Sequence, residues 1–348
     1  MLPKKGSKAW DDEVKFYQSS TRDQRDKRAV ELGYSDRAGY QTVMARRGVH
    51  LVGEAPKLET TIINLPEIKL KKYEPVKVGK GNPETQILHL TDHHFGQITK
   101  SFNEKVYDSR LEHLYKSTVH IANLHRNMYP INDLVIFMTG DMVHGENAHQ
   151  GAKVGGIDRG ARDQVIGLLP KLAGFILSLK EQFKTISIYC VRGNHGRYDR
   201  VAPATSNWDM MLYDLLTTKL DHYGIKVDVS DEFYKLVDIQ GKRFFLAHFD
   251  QFRGSQGVPW FAMTKGIQSW YVTYGGFDYI VGGHFHKDDF LRLSAKTKLI
   301  MSGSMVTDDT FTQEVCKTSS IPCQWTFGVN KHKGVTWSYS LIVDEKYF

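Results

Sequence analysis

Cysteine is nearly absent from this 348-residue chain: Cys190, Cys316 and Cys323 are the whole complement. Three thiols exclude a disulfide-stapled scaffold, and a reducing, cytoplasmic setting is the natural expectation. Cys190, inside an apolar run, reads as a small packed hydrophobe. No apolar run reaches the ~18 residues that a membrane-spanning helix needs, so no membrane partner is expected. The opening residues, Met1-Leu2-Pro3-Lys4-Lys5-Gly6, lack the apolar stretch of a secretory signal. Internal repeats and low-complexity segments are missing as well. What remains is an ordinary composition, 41% hydrophobic and 24% charged, in a soluble chain long enough to bury a large core.

The net charge of +7 is concentrated at one end. Residues 1–80 hold 17 Lys and Arg against 11 Asp and Glu, a balance of +6, while the remaining 29 basic and 28 acidic residues leave +1. A basic appendage on a near-neutral body points to a polyanionic partner, although a solvated charged surface accounts for the charge equally well.

Residues 1–50 read as a small basic helical unit, with helical patterning over 11–19, 22–32 and 36–47. A turn at Gly33 followed by a helix capped near Ser35 resembles a helix-turn-helix, which would put Arg37, Tyr40, Gln41 and Arg46 on a nucleic-acid face. Gly39 and Thr42 depart from that pattern, because such helices carry apolar core residues there. The alternative is a helical hairpin that packs on the rest of the chain. Residues 51–84 hold Pro56, Pro66, Pro75 and Pro83 and read as a connector, with one edge strand over 60–65. From residue 85 to 348, strands alternate with helices. Strands are expected over 87–90, 134–138 and 186–191, with helices over 103–128, 158–183 and 207–223. Three antiparallel strands then follow (226–229, 233–239, 243–247), a helix over 258–274, and strands over 279–281, 298–301 and 336–343.

Five short motifs stand at the ends of these strands: Asp92-His93-His94, Gly140-Asp141, Gly193-Asn194-His195, His248 and Gly283-His284-Phe285-His286. Asp, Asn and His are oxygen and nitrogen donors for a borderline divalent metal, and the lack of cysteine among them argues against a structural zinc site. Asp92 and His94, one residue apart, point the same way in an extended segment, whereas His93 points elsewhere. Asp141 has two oxygens and can serve two cations. A lone histidine such as His89 or His125 is more often a core or surface residue than a ligand, but five donor-rich motifs in register are enough for two metals. Two such ions a few Å apart displace oxygen at phosphorus.

The set resembles the signature of the calcineurin-like metallophosphoesterases, over Thr85 to about Lys287. That resemblance implies an α/β fold in which two mixed β-sheets pack as a sandwich flanked by helices, four layers deep (αββα), with the N-terminal helical unit added. It implies one metal on Asp92, His94, Asp141 and His286, and a second on Asp141, Asn194, His248 and His284. His195 resembles the family's non-ligand histidine, which contacts the phosphate and protonates the leaving oxygen. The metals would be Mn, with Fe, Zn or Mg as alternatives, and a metal-activated water would attack the phosphodiester. The chain departs from the pattern at His144, which becomes a substrate contact or an outer neighbour of the site. It departs again at Gly196-Arg197, where the family carries an acidic residue, so that Asp199 becomes the candidate partner of the His195 ring. Phe249 stands where a glycine is common.

Substrate is the open choice. Arg192, Arg197, Arg200 and Arg253 lie near the motifs and can clamp a phosphate, with Arg197 and Arg253 favoured. Tyr198, Trp208, Phe252, Trp260 and Phe261 are available to stack on bases. Motif order and His144 resemble the nuclease subunits of double-strand-break repair complexes. Arg253 to Trp260 and Gln324 to Val329 resemble phage and prophage metallophosphoesterases of the DNA exonuclease kind, which implies a bacterial or phage-infected host cell. A DNA exonuclease is the leading expectation, and these relatives leave room for a homodimer or an ATPase partner. The alternatives are a phosphoesterase acting on nucleotides, cyclic nucleotides or phosphoproteins, and a nucleic-acid-binding protein with little turnover.

Overall fold

The computed structural model describes residues 2–49, 79–146, 156–199, 201–253, 257–308, 321–344 and 346. The expected edge strand at 60–65, Arg200 and Cys316 lie outside them. The chain divides into two compact units, Met1–Asn64 and Leu65–Phe348.

The first unit holds three helices, α1 (Lys8–Ser19), α2 (Arg22–Glu31) and α3 (Arg37–Arg46), each started by a side-chain cap. Thr21 and Gln24 form a reciprocal capping box on α2, and Asp36 accepts from Gly39 N at 2.8 Å on α3. Trp10, Tyr17, Ala29, Tyr40, Met44 and Val49 form the core. Glu13 is buried among them, bound by Arg28 and by the Tyr40 hydroxyl at 2.5 Å. The Arg28 and Tyr40 donors outweigh the burial that would raise it and hold its carboxyl below the usual range.

The second unit is built on alternation. In β2 (Asp133–Met138), Leu134, Ile136 and Met138 face one side while Val135 and Phe137 face the other, as period 2 requires. The strand belongs to a six-stranded sheet that also contains β1 (Glu84–Leu90), β3 (Thr185–Cys190), β4 (Lys226–Val229), β10 (Cys323–Asn330) and β11 (Gly334–Ile342), in the order β11-β10-β1-β2-β3-β4. A five-stranded sheet, β5-β6-β7-β9-β8, is formed by β5 (Tyr234–Ile239), β6 (Lys242–Ala247), β7 (Tyr279–Gly282), β8 (Asp289–Arg292) and β9 (Lys298–Met301).

Ile87, Phe137, Phe244, Val281, Ile300 and Phe327, drawn from both sheets, fill the space between them. Helices α4 (Glu104–Arg126), α5 (Ala161–Lys180) and α6 (Trp208–Asp221) cover the outer face of the first sheet, and α7 (Trp260–Thr273) covers the second. This is the expected αββα sandwich of two mixed sheets. Among the described residues no helix is long and apolar enough to cross a membrane.

Two details differ from the sequence reading. β4 is not part of an antiparallel run with β5 and β6; it pairs in parallel with β3 at the edge of the other sheet. β8 and β10 were not expected. β10 is a central strand between β1 and β11, yet it carries the buried polar residues Gln324, Thr326 and Asn330, which disguise it. Two of these find partners far away in sequence: Thr326 donates to Ile87 O at 2.9 Å, and Gln324 bonds both to Thr91 N and to Thr91 O, while Asn330 accepts locally from His332 N and Lys333 N.

Candidate active site

β1, β2 and β3 run parallel, as do β6 and β7, so the carboxyl ends of each set emerge together. The five motifs sit there, in the first residues past each strand. The backbone turns sharply at these points: φ is positive at Asp92 (52°), His94 (45°), Asp141 (54°), His284 (74°) and His286 (53°). For residues with a Cβ this costs about 1–3 kcal/mol each, which persists only where the surroundings impose it. They do so here. Asp92 N bonds Gly140 O, His94 N bonds Asp141 O, and His144 N bonds Phe95 O, so the first two loops continue as a pair beyond their strands. Two motif glycines are required by close approach. A Cβ on Gly283 would strike the Asp92 carboxylate and Thr91, and one on Gly193 would strike the Asp141 carboxylate and backbone.

The donor atoms of the expected ligands fall into two groups, and His94, His144 and His195 make a third. In the first, the Nε2 atoms of His94 and His286 lie 2.8 Å apart and sit 3.6 and 3.5 Å from Asp92 Oδ1. The second Asp92 oxygen, Oδ2, is already engaged by Thr91 Oγ1 and His284 N, both at 2.9 Å. The second group is Asp141, His248 and His284, with donor atoms within 4.8 Å of one another. His248 Nδ1 donates to Thr139 O at 2.8 Å, which turns its Nε2 toward Asp141 Oδ2, also 2.8 Å away.

Asp92 Oδ1 and Asn194 Oδ1 are buried without a hydrogen-bond partner, and His248 Nε2 is buried against the Asp141 carboxylate. Each unpartnered atom costs about 1–3 kcal/mol, and both belong to expected ligands, so the residues fit two divalent cations.

The electrostatics agree. Burial would raise both carboxylates, but the surrounding histidines hold Asp92 and Asp141 well below the usual range. Burial would lower His248, but the Asp141 and Asp92 charges overcome it and lift it to about 10. Burial pushes His284 down to about 3.

His195 lies beside the first group, its ring centroid 4.4 Å from that of His94. Its backbone N–H donates to Asp141 Oδ1 at 2.7 Å, and its Nδ1 pairs with His144 O at 3.1 Å. That carbonyl, and not Asp199, orients the ring: Asp199 is exposed and caps its own turn through Val201 N and Ala202 N. The His144 side chain joins the cluster, its Nδ1 3.4 Å from His94 Nδ1. His93 points away and pairs with the Tyr107 hydroxyl at 2.8 Å. His89 is a buried core residue on Thr139 Oγ1.

Other candidates are placed less favourably. Arg197 is ion-paired with Asp250 at 2.6 Å, Arg192 donates to Asp231 O, and Arg253 is exposed. Among the aromatics Phe252 is buried core and Trp208 and Trp260 are partly buried, leaving Tyr198 (58% exposed) and Phe261 (74%) at the surface. In α3, Tyr40 is fully buried and bound to Glu13, so it cannot contact nucleic acid. The helix turns Tyr40 and Met44, four residues apart, into the core. Arg37 pairs with Asp26 at 3.1 Å, Gln41 is half-buried, and Arg46 is exposed.

Sequence reasoning missed Asp209. It is buried at the start of α6 and accepts from Asp141 N (2.8 Å), Met142 N (3.0 Å), Val143 N (3.3 Å) and Gly193 N (3.0 Å). Burial, then the nearby Asp141 charge, raises it to about 6. An Asn-x-Asp at a helix start signals a cap, and nothing in it signals a role at loops 16 to 68 residues upstream.

The family profile described as calcineurin-like phosphoesterase matches residues 85–288. The chain belongs to this family. As a calcineurin-like phosphoesterase it is a metal-dependent hydrolase, and its Asp and His groups could hold divalent ions. Distant solved structures include an archaeal phosphodiesterase, 11% identical with a TM-score of 0.34, over 73% of this chain and 99% of that one. Another is Vps29 complexed with zinc from Entamoeba histolytica, 12% identical with a TM-score of 0.36, over 74% and 99%. A 5′-nucleotidase from Candida albicans is 14% identical with a TM-score of 0.32, over 74% of this phosphoesterase and 49% of that chain. No curated protein matches the chain.

Proposed function

We propose that this phosphoesterase is a two-metal phosphodiesterase that cleaves nucleic acid, with DNA as substrate and exonuclease action as its mode. The observation that carries the two-metal reading is the pair of buried carboxylate–imidazole groups, Asp92 with His94 and His286, and Asp141 with His248 and His284, together with the unpartnered buried oxygens Asp92 Oδ1 and Asn194 Oδ1. Asp92, His94 and His286 would hold one ion and Asn194, His248 and His284 the other, with Asp141 serving both. Mn²⁺ suits such mixed nitrogen and oxygen donors. When bound, the pair supplies charge for the phosphate oxygens and lowers the pKa of a water. His195, held through Nδ1 by His144 O, delivers a proton to the leaving oxygen. His144, beside His94 and His195, would contact the substrate, and the exposed Arg253 is the proposed phosphate clamp.

Polynucleotide is favoured over a small phosphoester by charge. Residues 2–49 alone hold 11 Lys and Arg against 7 Asp and Glu, with Arg46 exposed. A small-diester reading draws on the near-neutral remainder and on Arg197, which Asp250 already neutralises. The test is an activity panel on purified protein. It sets Mn²⁺, Mg²⁺, Zn²⁺ or Fe²⁺ against single-stranded DNA, duplex DNA, RNA and bis-p-nitrophenyl phosphate, with Asp141→Asn as control. Polynucleotide cleavage that vanishes in the mutant supports the nuclease. Turnover of the small diester with every polynucleotide intact would overturn it.

A further inference from the structure

We infer that Asp209, seated by Asn207, is a positioning residue that fixes the two ligand loops of the second metal group as one rigid piece. The inference rests on the two-metal reading above and concerns how that site is held.

The geometry is specific. Asp209 Oδ2 takes Asp141 N at 2.8 Å and Gly193 N at 3.0 Å, so one oxygen joins the loop after β2 to the loop after β3. Oδ1 takes Met142 N at 3.0 Å and Val143 N at 3.3 Å. Four backbone donors that strand pairing has left behind are thereby satisfied by one buried carboxylate. Asn207 completes the arrangement: its Oδ1 accepts from Asp209 N at 2.8 Å, and its Nδ2 donates to Gly193 O at 2.9 Å. The space beside Gly196 is filled by Asn207 Oδ1 and Asp209 N, so the chain keeps a glycine there.

The consequence runs to the ligands. Asp141 carries its carboxylate on a residue whose own amide is anchored, and Asn194 follows Gly193 directly. His144, next after Val143, presents the carbonyl that orients His195. None of these groups hydrogen-bonds the Asp209 side chain through its own donor atoms, so Asp209 positions them through the backbone. Asp92, His94 and His286 hang on loops that Asp209 does not touch, and the first two are linked to the anchored loop only through Asp92 N to Gly140 O and His94 N to Asp141 O.

The experiment compares wild type, Asp209→Asn, Asn207→Ser and the packing control Leu216→Val on the same helix, all full length. An amide at 209 keeps the shape but turns an N–H group toward backbone donors. Serine at 207 still caps α6 while losing the bond to Gly193 O. Mn²⁺ binding is read by equilibrium dialysis, bis-p-nitrophenyl phosphate hydrolysis by kcat and KM, and folding by far-UV circular dichroism.

The expected result is two Mn²⁺ on wild type. In Asp209→Asn Mn²⁺ is held about 10–100-fold more weakly, the ion on Asn194, His248 and His284 more so than the one that shares only Asp141, and excess Mn²⁺ restores turnover. Asn207→Ser shows the same effect in milder form, and Leu216→Val melts earlier with both affinities intact. Wild-type affinity for both ions in Asp209→Asn overturns the inference, as does a loss that Leu216→Val reproduces. If Asp209→Asn does not fold, unchanged Mn²⁺ affinity in Asn207→Ser overturns it. Wild type that takes up no Mn²⁺ overturns the two-metal reading itself, and this role with it.

Discussion

Adding one methyl group at Gly193 should disable the site, and the structure gives the size of the effect. The new Cβ would overlap Asp141 Oδ1, Asp141 N and Asp141 Cγ, all closer than real carbons come. Asp141 N cannot yield, because it is bonded to the buried Asp209 carboxylate. The Asp141 carboxylate must therefore retreat by roughly 1 Å, a misplacement that costs about 10²-fold in rate when it falls on a reacting centre. Overpacking adds roughly 1–3 kcal/mol of destabilisation, or about 3–10 °C in melting temperature.

The same substitution at Gly174 is the internal comparison. That glycine is in α5 with nothing within 4 Å of an added Cβ, so alanine should stabilise by about 0.4–1 kcal/mol. The assays are bis-p-nitrophenyl phosphate hydrolysis in saturating Mn²⁺ and thermal melts of both variants. Gly193→Ala with wild-type kcat/KM and wild-type Mn²⁺ affinity would refute the claim that this close approach holds Asp141 in place.

Three further outcomes are expected. His195→Ala should keep both Mn²⁺ ions and lose about 10²–10⁴ in kcat; loss of an ion instead would make His195 a ligand rather than an acid. The raised pKa of His248, about 10, means that its proton is bound at pH 7 in the metal-free protein and must leave as a cation arrives. Mn²⁺ affinity should therefore rise by about tenfold per pH unit between pH 7 and 9, and calorimetry in buffers of different ionisation enthalpy should register proton release; affinity flat across that range would contradict the shift. Arg46→Ala should weaken DNA binding, lower the salt slope by about 1 and leave small-diester hydrolysis untouched, whereas equal binding at every salt concentration would remove α3 from the substrate path.

Much of this protein was legible along the chain, because the relevant rules are local. Alternation of apolar residues marks strands such as 134–138, and donor residues one or two positions past a strand end mark a site. Hence the motif residues Asp92, His94, Asp141, Asn194, His248, His284 and His286 could be named in advance, whereas the sandwich followed from the resemblance to the calcineurin-like phosphoesterases and not from a local pattern. What only the tertiary structure decided depends on pairings between remote segments. β4 joined β3 because parallel registry placed it beside Cys190, and no pattern within four residues reports which sheet a strand will enter. β10 escaped notice because its buried Gln324 and Thr326 are paid for by partners more than 230 residues away. Tyr40 looked like a contact residue until the rotation of α3, set by packing against Tyr17, turned it inward. Asp209 and the His144 carbonyl are invisible for the same reason: a carboxylate that holds backbone amides, or a carbonyl that orients a ring, has no side-chain signature. The sequence by itself specified which atoms could bind a metal; the fold specified how they are held.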